Sequence, residues 1–259
     1  MITSVDNPRV RDAARLRKSR ERRRLGLFIA EGPRELARAV GAGLVVREIF
    51  HAPELLPGWT LGAPPDTPAA DAHVEEVSER VLAKLSYRAD PEGVLAVVEV
   101  PQRELPSDGT LLVVAVGIEK PGNLGAMART ADGAGADGLL VADAVSDPWN
   151  PNAIRASTGA VFTLPVVAAT RTEVARLPHR RIGAVLGAGT AHTAVDYTGP
   201  TAFLIGAEDR GLSEEWQALA HECVEIPMRG RTADSLNASA AAAVLLFEAV
   251  RQRDARTRR

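Results

Sequence analysis

The chain has 259 residues, of which 46% are hydrophobic and 25% are charged, and its formal net charge is −2. A charge this close to zero excludes general attraction to a polyanion, so any nucleic-acid contact must come from a local patch. No apolar run approaches the ~20 residues that span a bilayer, and no signal-peptide pattern opens the chain, which predicts a cytoplasmic protein without membrane contact. Cys223 is the single cysteine, so we expect an inert thiol, no disulfide and no metal site.

The first part of the chain has the pattern of a small α/β unit. Asn7 and Pro8 are typical of a helix start, and Val10, Ala13 and Leu16 share one face of the helix that follows. The later pattern predicts strands over residues 27–30, 45–50 and 94–100 and helices over residues 33–40 and 78–85.

A basic cluster lies near the start of this unit. Nine Lys and Arg residues between Arg9 and Arg24 are opposed only by Asp12 and Glu21. Such a density is consistent with a solvated helix face or with a surface that contacts phosphates.

A proline-rich stretch at residues 101–108 separates two apolar runs and predicts a boundary between domains at residues 1–103 and 109–259. The second part alternates apolar strands with helices. We expect strands over residues 111–118, 138–142, 164–168, 182–186, 202–205 and 224–226, and helices over residues 124–134, 152–157, 172–177, 214–220 and 236–253. This alternation predicts a parallel sheet covered on both faces, with ligands at the carboxyl ends of its strands.

Two glycine patterns could be mistaken for a dinucleotide site. Gly133, Gly135 and Gly138 have the right spacing, but they follow a helix and precede a strand, whereas phosphate binding needs the reverse order. Gly187 and Gly189 follow a strand but lack a third glycine. These observations argue against a Rossmann oxidoreductase and against the commonest class of methyltransferase.

Three other segments carry polar residues where a strand gives way to a helix. In the first, Asn123 can cap a helix beginning at Leu124, and Arg129 lies in its second turn. In the second, Gly206 ends a buried strand where a ligand can approach the backbone, and Glu208 follows. Purely structural interpretations remain open: a cap for Asn123, a surface salt bridge for Arg129 and a solvated turn for Glu208.

The third segment runs from Ile226 into an alanine-rich helix. Ser235 is the expected N-cap, and Leu236, Ala240, Val244 and Phe247 fall on one face of the helix. Packing alone does not explain the polar residues Asn237 and Ser239 within so apolar a start.

Together these segments resemble the signature motifs of the SpoU (TrmH-type) RNA 2′-O-ribose methyltransferases of the SPOUT superfamily. The matching residues are Pro121-Gly122-Asn123-Leu124-Gly125 with Arg129-Thr130, Asp147-Pro148-Trp149-Asn150-Pro151 with Arg155-Ala156-Ser157, Gly206-Ala207-Glu208 with Gly211-Leu212-Ser213, and Ile226-Pro227-Met228 with Ser235-Leu236-Asn237-Ala238-Ser239. Phe28-Ile29-Ala30-Glu31-Gly32 and Pro91-Glu92-Gly93 resemble the family's RNA-binding domain. The sequence departs from the family pattern at Glu119-Lys120, Asp209-Arg210 and Glu92.

The resemblance implies an α/β protein with a trefoil-knotted, parallel-sheet C-terminal domain and a smaller, ribosomal-protein-like N-terminal α/β domain. It implies that S-adenosylmethionine (AdoMet) is the cofactor and that it is held by Gly206, Ile226, Met228 and Leu236. The catalytic residues would be Arg129, Asn123, Glu208, Ser235 and Asn237, the last four fixing Arg129 and the ribose. A guanidinium is too basic to act as a general base, so Arg129 would orient the hydroxyl and stabilise its developing negative charge.

The resemblance also implies an RNA substrate and a homodimer formed through the C-terminal domain. The RNA-binding candidates are Arg9, Arg17, Lys18, Arg22, Arg23 and Arg155. Within the family an accessory N-terminal domain is commoner among the ribosomal enzymes, so the resemblance favours 23S ribosomal RNA as the substrate. A transfer-RNA methyltransferase and a non-catalytic RNA-binding assembly factor remain as alternatives, and a base-methylating relative is disfavoured by the motifs.

Overall fold

A computed structural model describes residues 1–62, 69–70, 72–232 and 234–257. The chain forms two compact units: unit 1 comprises Met1–Gln102 and Trp149–Thr163, and unit 2 comprises Arg103–Pro148 and Leu164–Arg259. The segment Trp149–Thr163 lies inside the contiguous range 109–259 that we predicted for the second domain, yet it packs with unit 1. The reason is aromatic packing: the Phe28 ring stacks on Trp149 and Phe162 at centroid distances of 5.0 and 5.7 Å.

The elements of the described residues are, in chain order, α1 (Pro8–Arg15), α2 (Ser19–Leu25), β1 (Leu27–Glu31), α3 (Pro33–Gly41), β2 (Val46–His51), β3 (His73–Glu76), α4 (Glu79–Leu85), β4 (Val94–Glu99), β5 (Leu111–Val116), α5 (Pro121–Gly133), β6 (Gly138–Ala142), α6 (Pro151–Ser157), α7 (Ala160–Thr163), β7 (Val166–Ala169), α8 (Arg171–Ala175), β8 (Arg180–Ala184), a 3-10 turn (His192–Ala194), β9 (Thr201–Ile205), α9 (Glu214–Gln217), β10 (Glu222–Val224) and α10 (Ala238–Thr257).

Unit 1 has a four-stranded sheet in the order β1-β4-β2-β3. Strand β4 is antiparallel to both neighbours, and β2 and β3 are parallel. The short, polar strand β3 was not predicted, because its charged residues lack an apolar alternation. As expected, Pro8 begins α1, and the Asn7 side chain accepts a hydrogen bond from the Arg9 backbone N–H. The basic stretch divides into α1 and α2.

Unit 2 has a six-stranded sheet in the order β10-β8-β9-β5-β6-β7, and every pairing is parallel. The central strands β5, β6 and β9 are buried along their whole length. This agrees with the continuous apolar runs in the sequence, which are typical of strands covered on both faces. The trefoil knot stays a prediction.

Two predicted helix starts need correction. Helix α5 begins at Pro121, with Lys120 at the N-cap position, so Asn123 lies inside the first turn and does not cap the helix. Proline suits this first helical position because it has no N–H to leave unpaired. Helix α10 begins at Ala238, and Asn237, not Ser235, accepts the capping hydrogen bond from Ser239 N at 2.9 Å.

The buried face of α10 also differs from our expectation. It carries Ala238, Ala242, Leu245, Leu246 and Ala249, whereas Phe247 is 49% exposed. Small alanine side chains allow α10 to pack closely, and it contacts α5 and β9. Within the described part of the chain, none of the helices has both the length and the apolar character that crossing a bilayer requires.

Candidate functional site

A cavity of 320 Å³ opens at the carboxyl edge of the unit 2 sheet. Strands β10, β8 and β9 are neighbours, so the segments that follow them meet at this edge. The volume falls within the range of small-molecule sites, about 300–1,000 Å³. The candidate residues that line it are Gly206, Glu208, Ile226, Met228, Ser235 and Leu236.

The cavity wall is mainly aliphatic. Besides the candidates, it includes Val185, Leu186, Ile205 and Val224, at or just beyond strand ends, and Leu212 from the loop after β9. An aliphatic wall interrupted by exposed backbone suits a flat, mostly apolar ring system with a few polar edges. Our sequence argument missed Val185 and Leu186, although the position of their strand at the carboxyl edge could have indicated them.

Gly206 is required by the loop that folds over it. A Cβ atom at this position would overlap backbone atoms of Gly211 and Leu212, which cannot move aside as a flexible side chain would. Gly211 has a φ of +63°, and Ala207 and Gly211 form an isolated antiparallel bridge that closes the loop. We had assigned the need for glycine to ligand approach, whereas the close approach comes from the protein's own backbone.

Three predicted catalytic residues form one hydrogen-bonded chain. The Asn123 Nδ2 group donates to Glu208 Oε1, and Asn237 Nδ2 donates to Asn123 Oδ1 at 3.2 Å. Asn237 Oδ1 accepts in turn from the Ser239 backbone N–H and hydroxyl. Each amide is therefore held in one orientation, and residues from three distant segments meet beside the cavity.

The structure does not place Arg129 in this chain. Arg129 follows Asn123 by six residues on α5, which rotates its side chain by about 120° around the helix axis. The Arg129 side chain is exposed, forms no hydrogen bond or ion pair with any other described residue, and does not line the cavity. The structure therefore shows no hydrogen bond to the Arg129 side chain from any of the residues predicted to fix it, which are Asn123, Glu208, Ser235 and Asn237. Ser235 is exposed at the cavity wall.

Arg210 is a cavity residue that sequence reasoning did not select. Its guanidinium forms ion pairs with Glu119 at 2.5 Å and with Asp209 at 3.3 Å. Asp209, followed by Glu119, raises the pKa of Arg210. Both partners belong to the segments that depart from the family pattern, so the two departures contact each other. The sequence shows each departure but not their pairing.

The basic candidates in unit 1 occupy different settings. Arg9 pairs with Glu75 at 3.1 Å and lies 3.5 Å from Glu48. Arg17 donates to the Lys84 carbonyl, and its guanidinium lies 5.2 Å from the centroid of the Tyr87 ring. Lys18, Arg23 and Arg155 are exposed.

Arg22 is not a surface residue. It is 1% exposed, and its Nη1 group donates to the carbonyls of Leu16 at 2.7 Å and Arg17 at 3.1 Å. These carbonyls lie where the chain leaves α1, and a buried carbonyl needs a donor. Arg22 therefore stabilises the connection between α1 and α2, and we withdraw it from the proposed RNA-binding surface.

The described residues offer neither a metal site nor an activated cysteine. Among them, no group of three or more His, Cys, Asp or Glu side chains is placed to hold a metal ion. Cys223 is half-buried, and burial raises the pKa of its thiol. A raised pKa leaves less of the reactive thiolate.

Both parts of the chain match known protein families. Residues 110–247 match the SpoU rRNA Methylase family, and residues 7–96 match the MRM3-like substrate binding domain. These matches cover the same two regions as the motifs identified in the sequence, and they confirm the resemblance.

Individual relatives agree with this assignment. The 23S rRNA (uridine(2479)-2′-O)-methyltransferase of Streptomyces viridochromogenes is 36% identical, over 90% of this chain and 85% of its own. The crystal structure of the SpoU methyltransferase AviRb from the same organism with AdoMet is 32% identical, with a TM-score of 0.82 over 96% of this chain and 98% of that one. An AdoMet-bound rRNA methyltransferase from Sinorhizobium meliloti is 30% identical, with a TM-score of 0.84 over 96% and 97% of the two chains. The chain therefore belongs to the SpoU rRNA Methylase family.

Proposed function

We propose that this protein transfers a methyl group from AdoMet to a ribose 2′-hydroxyl of 23S ribosomal RNA. The observation that carries the proposal is the cavity at the carboxyl edge of unit 2, with the Glu208–Asn123–Asn237 chain beside it. The names of full-length relatives support both the reaction and the ribosomal substrate. A ribosomal substrate assigns the protein to the cytoplasm.

The cavity residues fit the proposed cofactor. Backbone groups at Gly206, Ile226 and Leu236 are available to the polar edges of an adenosine, and Met228 contributes an adaptable apolar contact. AdoMet, when bound, supplies an electrophilic methyl group. The aliphatic wall excludes water from this side of the site, which strengthens electrostatic interactions near it.

The asparagine–glutamate chain supplies fixed polar groups. Glu208 holds the Asn123 amide, and Asn123 in turn receives a hydrogen bond from Asn237, so these side chains are oriented before RNA arrives. We assign them to positioning the ribose, because in-line displacement requires the hydroxyl and the methyl group to be aligned.

Arg129 is free to interact with RNA, since it contacts no other described side chain as an ion pair or hydrogen-bond partner. We assign it to the negative charge that develops on the 2′-oxygen, or to the neighbouring phosphate, as a donor and not as a base.

We propose that the protein forms a homodimer through unit 2. Phe247 is 49% exposed on α10, on the face that the sequence predicts to be apolar, and Leu236 is also exposed. A large exposed aromatic side chain on an alanine-rich helix suits a symmetric interface. Light scattering should give the mass of a dimer, and Phe247→Glu should shift it towards the monomer. An unchanged mass for this variant would place the interface elsewhere.

One experiment tests the reaction. Ribose 2′-O-methylation should be mapped across total RNA from cells with and without the protein, and a single ribosomal position should gain the modification. Methylation of a transfer RNA instead would support the second candidate substrate. Calorimetric titration with AdoMet should show binding to the purified protein, whereas no binding would favour a non-catalytic assembly factor.

A further inference from the structure

A second groove, with a volume of 340 Å³, lies on unit 1 and has no assigned role. Its floor is apolar and is formed by Ala13, Leu16, Leu27 and Val97. Leu25 also lines the groove and is 40% exposed. The groove is thus large enough for a small-molecule-sized group and presents an apolar surface to it.

A β-bulge shapes one wall. Val46 pairs with Val98, but Glu48 pairs with Val97, so Arg47 is an extra residue in β2. Neighbouring side chains on a regular strand point to opposite faces, whereas a bulge re-aims them. Both Arg47 and Glu48 line the groove as a result.

The rim carries three arginines, each paired with an acid, and one of these acids, Asp12, also lines the groove. Arg15 lies 3.0 Å from Asp12, Arg24 lies 2.8 Å from Glu21, and Arg47 pairs with Glu99. The arginine side chains are 55%, 56% and 64% exposed. Exposed pairs of this kind contribute little stability, so a phosphate can replace the carboxylate partners at small cost.

Glu48 adds a directional acceptor. Its carboxylate is half-buried at the wall, and an oxygen of it lies 3.5 Å from the Arg9 guanidinium, whose positive charge favours the ionised form. An ionised carboxylate only accepts hydrogen bonds. Among the bases, guanine presents two adjacent donors on its Watson–Crick edge, which match the two oxygens of a carboxylate.

We propose that this groove binds one unstacked guanine nucleotide of the RNA substrate. The base lies on the apolar floor beside Leu25, the Glu48 carboxylate accepts from its Watson–Crick edge, and Arg15, Arg24 and Arg47 contact the adjoining phosphates. The proposal rests on the RNA-directed function proposed above, and it adds a base-reading element in unit 1 that is separate from the methyl-transfer site in unit 2.

The test uses the full chain and short fluorescein-labelled RNA hairpins, either fully paired or with a single bulged G, A, C or U. Fluorescence anisotropy should show tighter binding to the bulged G hairpin than to the others. Leu25→Ser should weaken binding of the bulged hairpins by about tenfold, because it removes apolar contact area without changing charge. Val74→Ser is the matched control. Val74 is a 43% exposed apolar residue of unit 1 outside the groove, so this substitution should leave the affinity for every hairpin unchanged.

Glu48→Gln separates base reading from general affinity. It should reduce the preference for G over the other bulged bases by about tenfold while binding of the paired hairpin stays the same. Equal effects of Leu25→Ser and Val74→Ser, or binding that does not distinguish bulged from paired RNA, would overturn the proposal.

A failure of the groove can be told apart from a failure of the enzyme. If wild-type protein binds AdoMet and methylates ribosomal RNA while Leu25→Ser binds every hairpin normally, the groove proposal is wrong and the function stands. If the bulged-G preference is present but AdoMet does not bind, the groove is supported and the methyltransferase proposal is wrong.

Discussion

The two units place their functional side chains in opposite ways. In unit 2, Asn123, Glu208 and Asn237 come from segments far apart in sequence and meet because parallel strands share a carboxyl edge. In unit 1, the basic residues are neighbours in sequence and mostly face solvent. A site assembled from distant segments gives each residue a unique position, whereas a local cluster gives several residues similar positions. Single substitutions should therefore have large effects at the unit 2 site and small ones within the basic cluster of unit 1.

The largest effect should come from Arg129→Ala. Loss of a donor to charge that develops in the transition state lowers turnover by roughly a hundred- to a thousandfold. AdoMet affinity should stay unchanged, because Arg129 does not line the cavity. Single-turnover methylation and calorimetry measure the two quantities. The control is Arg176→Ala, which alters an exposed arginine of unit 2 outside the cavity. Normal turnover of the Arg129→Ala variant would show that Arg129 has no part in the mechanism.

Next in size should be Gly206→Val. The added side chain overlaps the backbone of Gly211 and Leu212, so the loop must move out of the cavity wall. AdoMet binding should become undetectable by calorimetry, and the melting temperature should fall. Gly230→Val is a suitable control, since a Cβ at Gly230 meets no described atom within 4 Å. Equal affinity for AdoMet in both variants would contradict the assigned cavity.

Arg22→Ala is the expected exception to the rule for unit 1. It leaves the buried carbonyl of Leu16 without this donor, which costs about 1–3 kcal/mol of stability, whereas the Arg17 carbonyl still accepts from the Tyr87 hydroxyl. The neighbouring Arg23→Ala removes the same charge from an exposed position and should alter stability by no more than about 0.5 kcal/mol. Urea denaturation measures both values, and similar losses would mean that burial does not distinguish these two arginines.

For RNA binding the order of the same two arginines should reverse. If Arg23 contacts a phosphate, Arg23→Ala should lower the slope of log affinity against log salt by about one, equally for all RNA sequences. An unchanged slope would assign Arg23 to the solvated surface.

The smallest effect in unit 2 should come from Glu248, because its partners Arg251 and Gln252 are local. The hydrogen bond from Arg251, opposed by burial, lowers the pKa of Glu248 to about 2. A lowered pKa means that the contribution to stability is complete above the unfolded value of about 4.3 and is lost as pH falls towards 2. Glu248→Gln should therefore flatten the decline of stability in this window. A parallel curve for the variant would contradict the pairing.

Much of the architecture is predictable from local pattern. The apolar runs of β5, β6 and β9 indicate buried parallel strands, and the segments that follow them indicate the edge where Gly206 and Ile226 line a cavity. These inferences succeed because hydrophobic periodicity and strand direction are local properties with a global consequence.

The wrong predictions concern residues whose role or burial depends on tertiary contacts. Asn123 has a typical capping composition, but Pro121 starts the helix earlier and leaves the Asn123 side chain free to bond Glu208. Arg22 has the same composition around it as Arg23, and only packing makes one buried and the other exposed. The unit 1 groove depends on a β-bulge at Arg47, which no pattern in the sequence indicates.

The contact between Gly206 and the loop above it has a consequence for how this family can diversify. The loop packs against Gly206 through main-chain atoms of Gly211 and Leu212. The Asp209 and Arg210 side chains of the same loop are 63% and 68% exposed. Replacing those two side chains does not alter the backbone contacts between the loop and Gly206. Substitutions at these two positions can therefore change the charge at the opening of the cavity without disturbing the backbone contacts behind it.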